Sequence, residues 1–259
     1  MARRPTARRV RLRDHETVVV DSGGSGVPLV LVHGVSFDWR MWTLVVDWLP
    51  DSVRTVTYDL RGHGTAKAAP GRPTPPVLAA DLAALLDELE LQGARIAGLS
   101  YGGTVAQEFA LAYPHRVVGL AFVSTRASPF PPFAAGADAA ERDGVETQVE
   151  GAVERWFGPE AVADGGWPVE YARTCLRTIP LATWTAALRA IAAFDVLDRL
   201  RQISVPTQVV AAELDSVGRP EHMREIATRI SGARFHVVRG AHHLLCFLRP
   251  QELASLLAT

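Results

Sequence analysis

Two spacings of apolar residues alternate along the chain. Residues 28–32, Pro-Leu-Val-Leu-Val, are apolar at every position, the pattern of a strand buried on both faces of a parallel sheet. Short runs at 16–21, 53–58, 94–97, 117–123, 207–211 and 234–238 read as further strands, the first followed by a glycine-serine turn at 22–26. Between them the period changes. In 76–91, Leu78, Leu82, Leu85, Leu86 and Leu89 fall three and four apart, one stripe of a helix. Residues 101–113 form a second helical stretch, stopped by Pro114, and 221–230 a third. A fourth, 244–257, is interrupted at Pro250. Strands alternating with helices predict an α/β protein with a mostly parallel central sheet and helices on both faces.

The alternation fails from 126 to 195. No buried strand is evident there, and the stretch holds Phe130, Phe133, Trp156, Phe157, Trp167, Tyr171, Trp184 and Phe194 among helical runs such as 183–194. It is expected to be a helical lid inserted between two parts of one core, 1–125 and 196–259. Open α/β sheets bind ligands beyond the carboxyl ends of their strands, where such an insertion would sit.

Bulk properties narrow the function. A chain of 259 residues, 48% hydrophobic and 21% charged, suffices for one sizeable core. Its net charge of -1 gives no electrostatic basis for binding nucleic acid or an anionic membrane. No apolar run approaches the ~20 residues of a membrane span. Residues 1–13 carry Arg3, Arg4, Arg8, Arg9, Arg11 and Arg13, but Asp14, His15 and Glu16 follow in place of a signal peptide's apolar segment. A frayed, solvated start leading into a first strand is expected. Cys175 and Cys246 lack metal-type spacing, so reduced thiols and a cytoplasmic location are the default. With no phosphate-binding loop or metal constellation, no cofactor or metal is expected.

The candidate chemistry lies at strand ends. Gly98-Leu99-Ser100-Tyr101-Gly102-Gly103 follows a strand and opens a helix. A hydroxyl nucleophile on such a sharp turn needs small neighbours, and the helix N-terminus favours developing negative charge. The Tyr101 amide is one candidate oxyanion donor. Val35, after His33-Gly34 at another strand end, is the second. His33 itself reads as structural. An acid is expected after the fifth strand of the parallel core, where Glu213 and Asp215 occur; Asp215, deeper in the loop, is preferred. The alternative site one strand earlier reads Ser124-Thr125-Arg126, without a carboxylate. A base is expected after the last strand, where His242 and His243 compete. The loop Asp59-Leu60-Arg61-Gly62-His63-Gly64 reads as glycine-shaped structure.

With these pieces in hand, the chain resembles the α/β-hydrolase superfamily over nearly its whole length. The resemblance rests on His33-Gly34, Asp59-x-Arg61-Gly62-His63-Gly64, Gly98-x-Ser100-x-Gly102-Gly103, Asp215 and His243. In that family the catalytic histidine precedes a proline by seven positions, which His243 and Pro250 match and His242 does not. His242 stands where the family usually has glycine, and Thr65-Ala66 replace its usual serine after the RGHG loop. Within the superfamily the chain is most similar to 3-oxoadipate enol-lactonases, in Gly98–Gly103, in Arg155-Trp156-Phe157 and in the stretch 190–195. The resemblance implies acyl transfer by Ser100, His243 and Asp215, with a small-molecule ester or lactone as substrate. Relatives with the same triad include C–C bond hydrolases, cofactor-free perhydrolases, tailoring lyases or cyclases and non-catalytic receptors, among which fold does not choose. Of the insertion's arginines, Arg155, beside Trp156, is the first candidate for a substrate carboxylate, with Arg126 a second. Oligomeric state is not legible.

Overall fold

The computed structural model describes residues 6–259. In chain order the elements are β1 (Thr6–Arg11), β2 (Glu16–Asp21), β3 (Leu29–Val32), α1 (Thr43–Trp48), β4 (Thr55–Tyr58), α2 (Pro75–Glu88), β5 (Ala94–Leu99), α3 (Tyr101–Ala112) and β6 (Val117–Val123). Then come α4 (Pro132–Asp143), α5 (Glu146–Phe157), α6 (Pro159–Asp164), α7 (Trp167–Thr178) and α8 (Leu181–Ala193). The chain ends with β7 (Thr207–Ala212), α9 (Pro220–Arg229), β8 (Arg234–Val238), α10 (Leu245–Leu248) and α11 (Pro250–Leu257).

One eight-stranded sheet runs β1-β2-β4-β3-β5-β6-β7-β8. From β4 through β8 every pairing is parallel, while β2 pairs antiparallel with both β1 and β4. Every residue of β3 and β4 is buried, so both faces are covered, as the unbroken apolar run of β3 requires. Of the covering helices, α2 packs with α3, α1 with α10 and α11, and α9 lies against β7 and β8.

The N-terminus departs from expectation. Residues 6–11 form β1, an edge strand paired residue for residue with β2, from Thr6 opposite Asp21 to Arg11 opposite Glu16. Its arginines read as solvated chain, but side chains on an edge strand face water while the backbone pairs, and charge there discourages further strand addition. Only Val10 is buried in β1. Arg3 and Arg4 lie outside the described residues. A cluster around the buried Arg61 fastens the β1–β2 turn: Arg61 binds buried Asp81 of α2 through Nε and Nη2, both at 2.7 Å, and exposed Asp14 through Nη2 and Nη1 at 2.7 and 3.0 Å.

Between β6 and β7 the alternation is replaced by five helices, α4 to α8. Gly144 (φ 85°) and Gly158 (φ 83°) end α4 and α5 in conformations that side-chain-bearing residues avoid. Helix α4 packs on α8, and α5 packs on α6 and α7. Val149, Val153, Trp156 and Phe157 of α5 belong to the same continuous apolar core as the sheet. Among the described residues no helix is long and apolar enough to cross a membrane.

Candidate active site

Ser100 sits between β5 and α3 with φ 57° and ψ −117°, a strained conformation of the kind that functional sites retain at about 1–3 kcal/mol. The small residues around it are a steric requirement. A Cβ on Gly98 would lie 2.1 Å from the Gly102 carbonyl oxygen, and one on Gly102 would lie 2.1 Å from that of Val32. The turn is fixed by the Ser100 amide, which donates to the Val123 carbonyl at 3.0 Å, and by Thr125 Oγ1, which donates to the Ser100 carbonyl at 2.7 Å.

Beside this turn runs the loop that follows β3. His33 is fully buried; Nδ1 donates to the Gly34 carbonyl at 2.7 Å and Nε2 accepts from the Leu60 amide at 2.9 Å. Burial pushes its pKa down to about 4, against the opposing Gly34 hydrogen bond and Asp38 charge, so it stays neutral and staples the loop to the segment after β4. Val35 follows, and among the described residues neither its amide nor that of Tyr101 donates a hydrogen bond. Both residues line one cavity with Ser100.

His243, in the loop after β8, reaches the same cavity. Its Nδ1 meets Asp215 Oδ2 at 2.8 Å, with His243 1% and Asp215 3% exposed. Asp215 Oδ1 accepts from the amides of Val217 at 2.7 Å and Gly218 at 3.1 Å. Burial alone would raise the Asp215 pKa; the His243 charge, its hydrogen bond and the two amides outweigh it and bring the pKa below the ordinary carboxylate value. The competing residues point elsewhere. Glu213 is exposed and accepts from the Gly240 amide at 2.8 Å. His242 packs against the turn at Gly158, where an added Cβ would stand 2.3 Å from its Nε2.

The cavity holds about 460 Å³. Its floor is the loops just described, and Phe133 of α4, Trp156 of α5, and Trp184, Leu188 and Ile191 of α8 line it from the inserted helices. The insertion's six arginines separate cleanly. Arg142 pairs with Asp143, Arg173 with Glu150 and Glu170, Arg177 with Glu146, and Arg189 with Asp138 and Glu141. Arg126 and Arg155 have no carboxylate partner among the described residues, and both line the cavity. Burial lowers the pKa of both.

The cavity also gathers residues that sequence reasoning did not single out, among them Gln148 and Thr104. Gln148 accepts from Trp184 Nε1 at 3.3 Å. One polar position within a helical run carried no signal of this; only the tertiary packing assembles it. The Asp59–Gly64 loop is anchored at its start: Asp59 accepts from the amides of Trp39 and Thr65, both at 2.8 Å, and from Thr65 Oγ1 at 2.7 Å. Among the described residues, the one cluster with metal-ligand spacing is Asp14, His15 and Asp81, and Arg61 already bridges its two carboxylates.

A model of the alpha/beta hydrolase family matches residues 29–256. Among curated proteins, 3-oxoadipate enol-lactonase 2 of Acinetobacter baylyi is 26% identical over 216 residues, covering 83% of this chain and 81% of its own length. Among solved structures, an enol-lactonase from Burkholderia xenovorans superposes with a TM-score of 0.89 at 25% identity, covering 96% of this chain and 97% of its own. A thermophilic esterase from Thermogutta terrifontis gives 0.87 at 30% identity, covering 96% of each chain. With the family's pattern spanning all but the two ends and the fold matched across nearly the full length, this chain belongs to the alpha/beta hydrolase family.

Proposed function

We propose that the chain hydrolyses a carboxylic ester or lactone through an acyl-enzyme on Ser100. The observation that carries the reading is the meeting, in one cavity, of a strained serine and a histidine whose far nitrogen is held by a buried carboxylate. Because Nδ1 of His243 is engaged by Asp215, Nε2 is the nitrogen left for the serine. It takes the Ser100 proton as Oγ attacks the substrate carbonyl. The oxyanion forms against the free amides of Val35 and Tyr101. His243 returns the proton to the departing oxygen, which in a lactone remains tethered to the acyl chain. Water, deprotonated by the same imidazole, then releases the acid and frees Ser100. Asp215 keeps the tautomer and stabilises the imidazolium.

The relatives' names favour this class, since one similar curated protein is an enol-lactonase and one similar solved structure an esterase. The inserted helices act as a lid, roofing the cavity with apolar surface. Arg126 and Arg155 make the preferred substrate anionic away from the scissile bond, because a cavity-lining arginine without an acid partner, whether buried like Arg126 or exposed like Arg155, gains from a carboxylate. In the test, a fluorophosphonate should add one adduct to the wild type and none to Ser100→Ala, whose ester turnover should fall by several orders of magnitude. Equal labelling of the mutant would refute the assignment of the nucleophile. On the substrate side, Arg155→Ala should lose kcat/KM for an acidic lactone and keep it for a neutral ester. A wild-type preference for the neutral substrate would remove the anionic subsite from the account.

A further inference from the structure

Arg126 lines the cavity at the end of β6, but its guanidinium is also gripped from behind. Nη1 donates to the Val217 carbonyl at 3.1 Å and meets His222 Nδ1 at 2.8 Å, and the Phe130 ring lies 4.4 Å from the guanidinium carbon. An arginine only donates, so His222 must accept on Nδ1 and carry its proton on Nε2.

The Val217 carbonyl belongs to the peptide unit whose N–H is that of Gly218. That N–H donates to Asp215 Oδ1 at 3.1 Å, alongside the Val217 amide at 2.7 Å. One peptide plane is therefore held at its oxygen by Arg126 and holds the carboxylate of Asp215 at its nitrogen. A hydrogen bond to the carbonyl polarises the same unit's N–H and strengthens it as a donor. The plane has little freedom to tilt otherwise, since a Cβ on Gly218 would stand 2.6 Å from the Ser124 carbonyl carbon.

We propose that Arg126 is a positioning residue for the acid of the triad, fixing the Val217–Gly218 peptide so that its amide orients Asp215, with His222 holding the guanidinium in place. The inference rests on the reading of Ser100, His243 and Asp215 as a triad. It gives Arg126 a role for every substrate, whereas a carboxylate clamp serves only anionic ones.

A neutral ester separates the two roles. Arg126→Met should lower kcat for a neutral p-nitrophenyl ester about tenfold at unchanged KM, the rate equivalent of one hydrogen bond made by a charged group. Arg126→Lys, which keeps a donor for the Val217 carbonyl, should recover part of the loss. His222→Leu, at a half-buried surface position, should lower kcat in the same direction by less. Rates are normalised to sites titrated with fluorophosphonate, and melting temperatures are compared. Wild-type kcat in Arg126→Met, or a loss confined to KM, would overturn the proposal. If Arg126→Met does not fold, wild-type kcat in His222→Leu overturns it instead. Failure of the triad reading would show separately, as retained turnover in Ser100→Ala.

Discussion

Asp215 keeps its charge inside the protein because four hydrogen-bonding and electrostatic contributions converge on two oxygens. Its partner is chosen by geometry. Asp215→Asn should fold normally yet lose roughly 10⁴ in kcat, since an amide facing Nδ1 allows the wrong imidazole tautomer. Glu213→Gln disturbs only the exposed contact to the Gly240 amide and should be mild. Steady-state kinetics on both variants decides, and the reverse ranking would move the acid to Glu213. The two histidines are ranked in the same way. His243→Ala should match the serine variant, while His242→Ala, which alters packing at Gly158, should keep most activity. A dead His242→Ala enzyme would contradict the assignment.

At the scale of elements, the strand–turn–helix around Ser100 leaves no room for side chains. Gly98→Ala places a methyl against the Gly102 carbonyl and should destabilise the fold by about 2–3 kcal/mol in urea titration, with loss of activity. An unchanged midpoint would show that the turn relaxes at little cost. This turn was legible in the sequence because its constraint is local: three glycines around a serine, between an apolar run and a helical stripe. Strand β6 was legible to the residue for the same reason, being a short apolar run with clear ends, and the bounds of β8 were legible as well. Strand β1 was not, because what makes it a strand is pairing to β2, and its arginines carry no apolar period. The division of the insertion into five helices depends on glycines at three of its four boundaries, whose conformations only the packed chain requires, and on Pro180 at the fourth. The two candidate acids could be ranked by depth in their loop and the two histidines by the family resemblance, but the contact between His243 and Asp215 spans 28 residues and only the fold supplies it. The isolation of Arg126 and Arg155 from acids was likewise invisible, since the acids paired with Arg177 and Arg189, and Glu150 paired with Arg173, come from other helices of the insertion.

Across the whole molecule, two buried neutral histidines tie the site to acid stability. His33 is pushed down to about 4 by burial, and His63 to about 3 by burial and then by His33. Both ordinarily titrate near 6.5, so below that pH the unfolded chain binds protons that the folded chain refuses. Their contribution is whole above 6.5 and is lost as pH falls toward 4, at about 1.4 kcal/mol per pH unit for each histidine. The melting temperature should therefore drop steeply between pH 6.5 and about 4.5, and His63→Asn should flatten that slope. A wild-type profile without the drop would contradict the burial of both as neutral rings. The same molecule-wide packing brings residues of the inserted helices into the cavity wall, beside the proposed acyl-enzyme. That intermediate is the centre of the account. The most direct measurement is acid quenching of the enzyme during turnover of a slow ester, followed by mass analysis of the peptide carrying Ser100. The account predicts a transient acyl adduct on Ser100, formed and lost at rates that accommodate kcat. Steady turnover with no adduct, or an adduct on another residue, would contradict it.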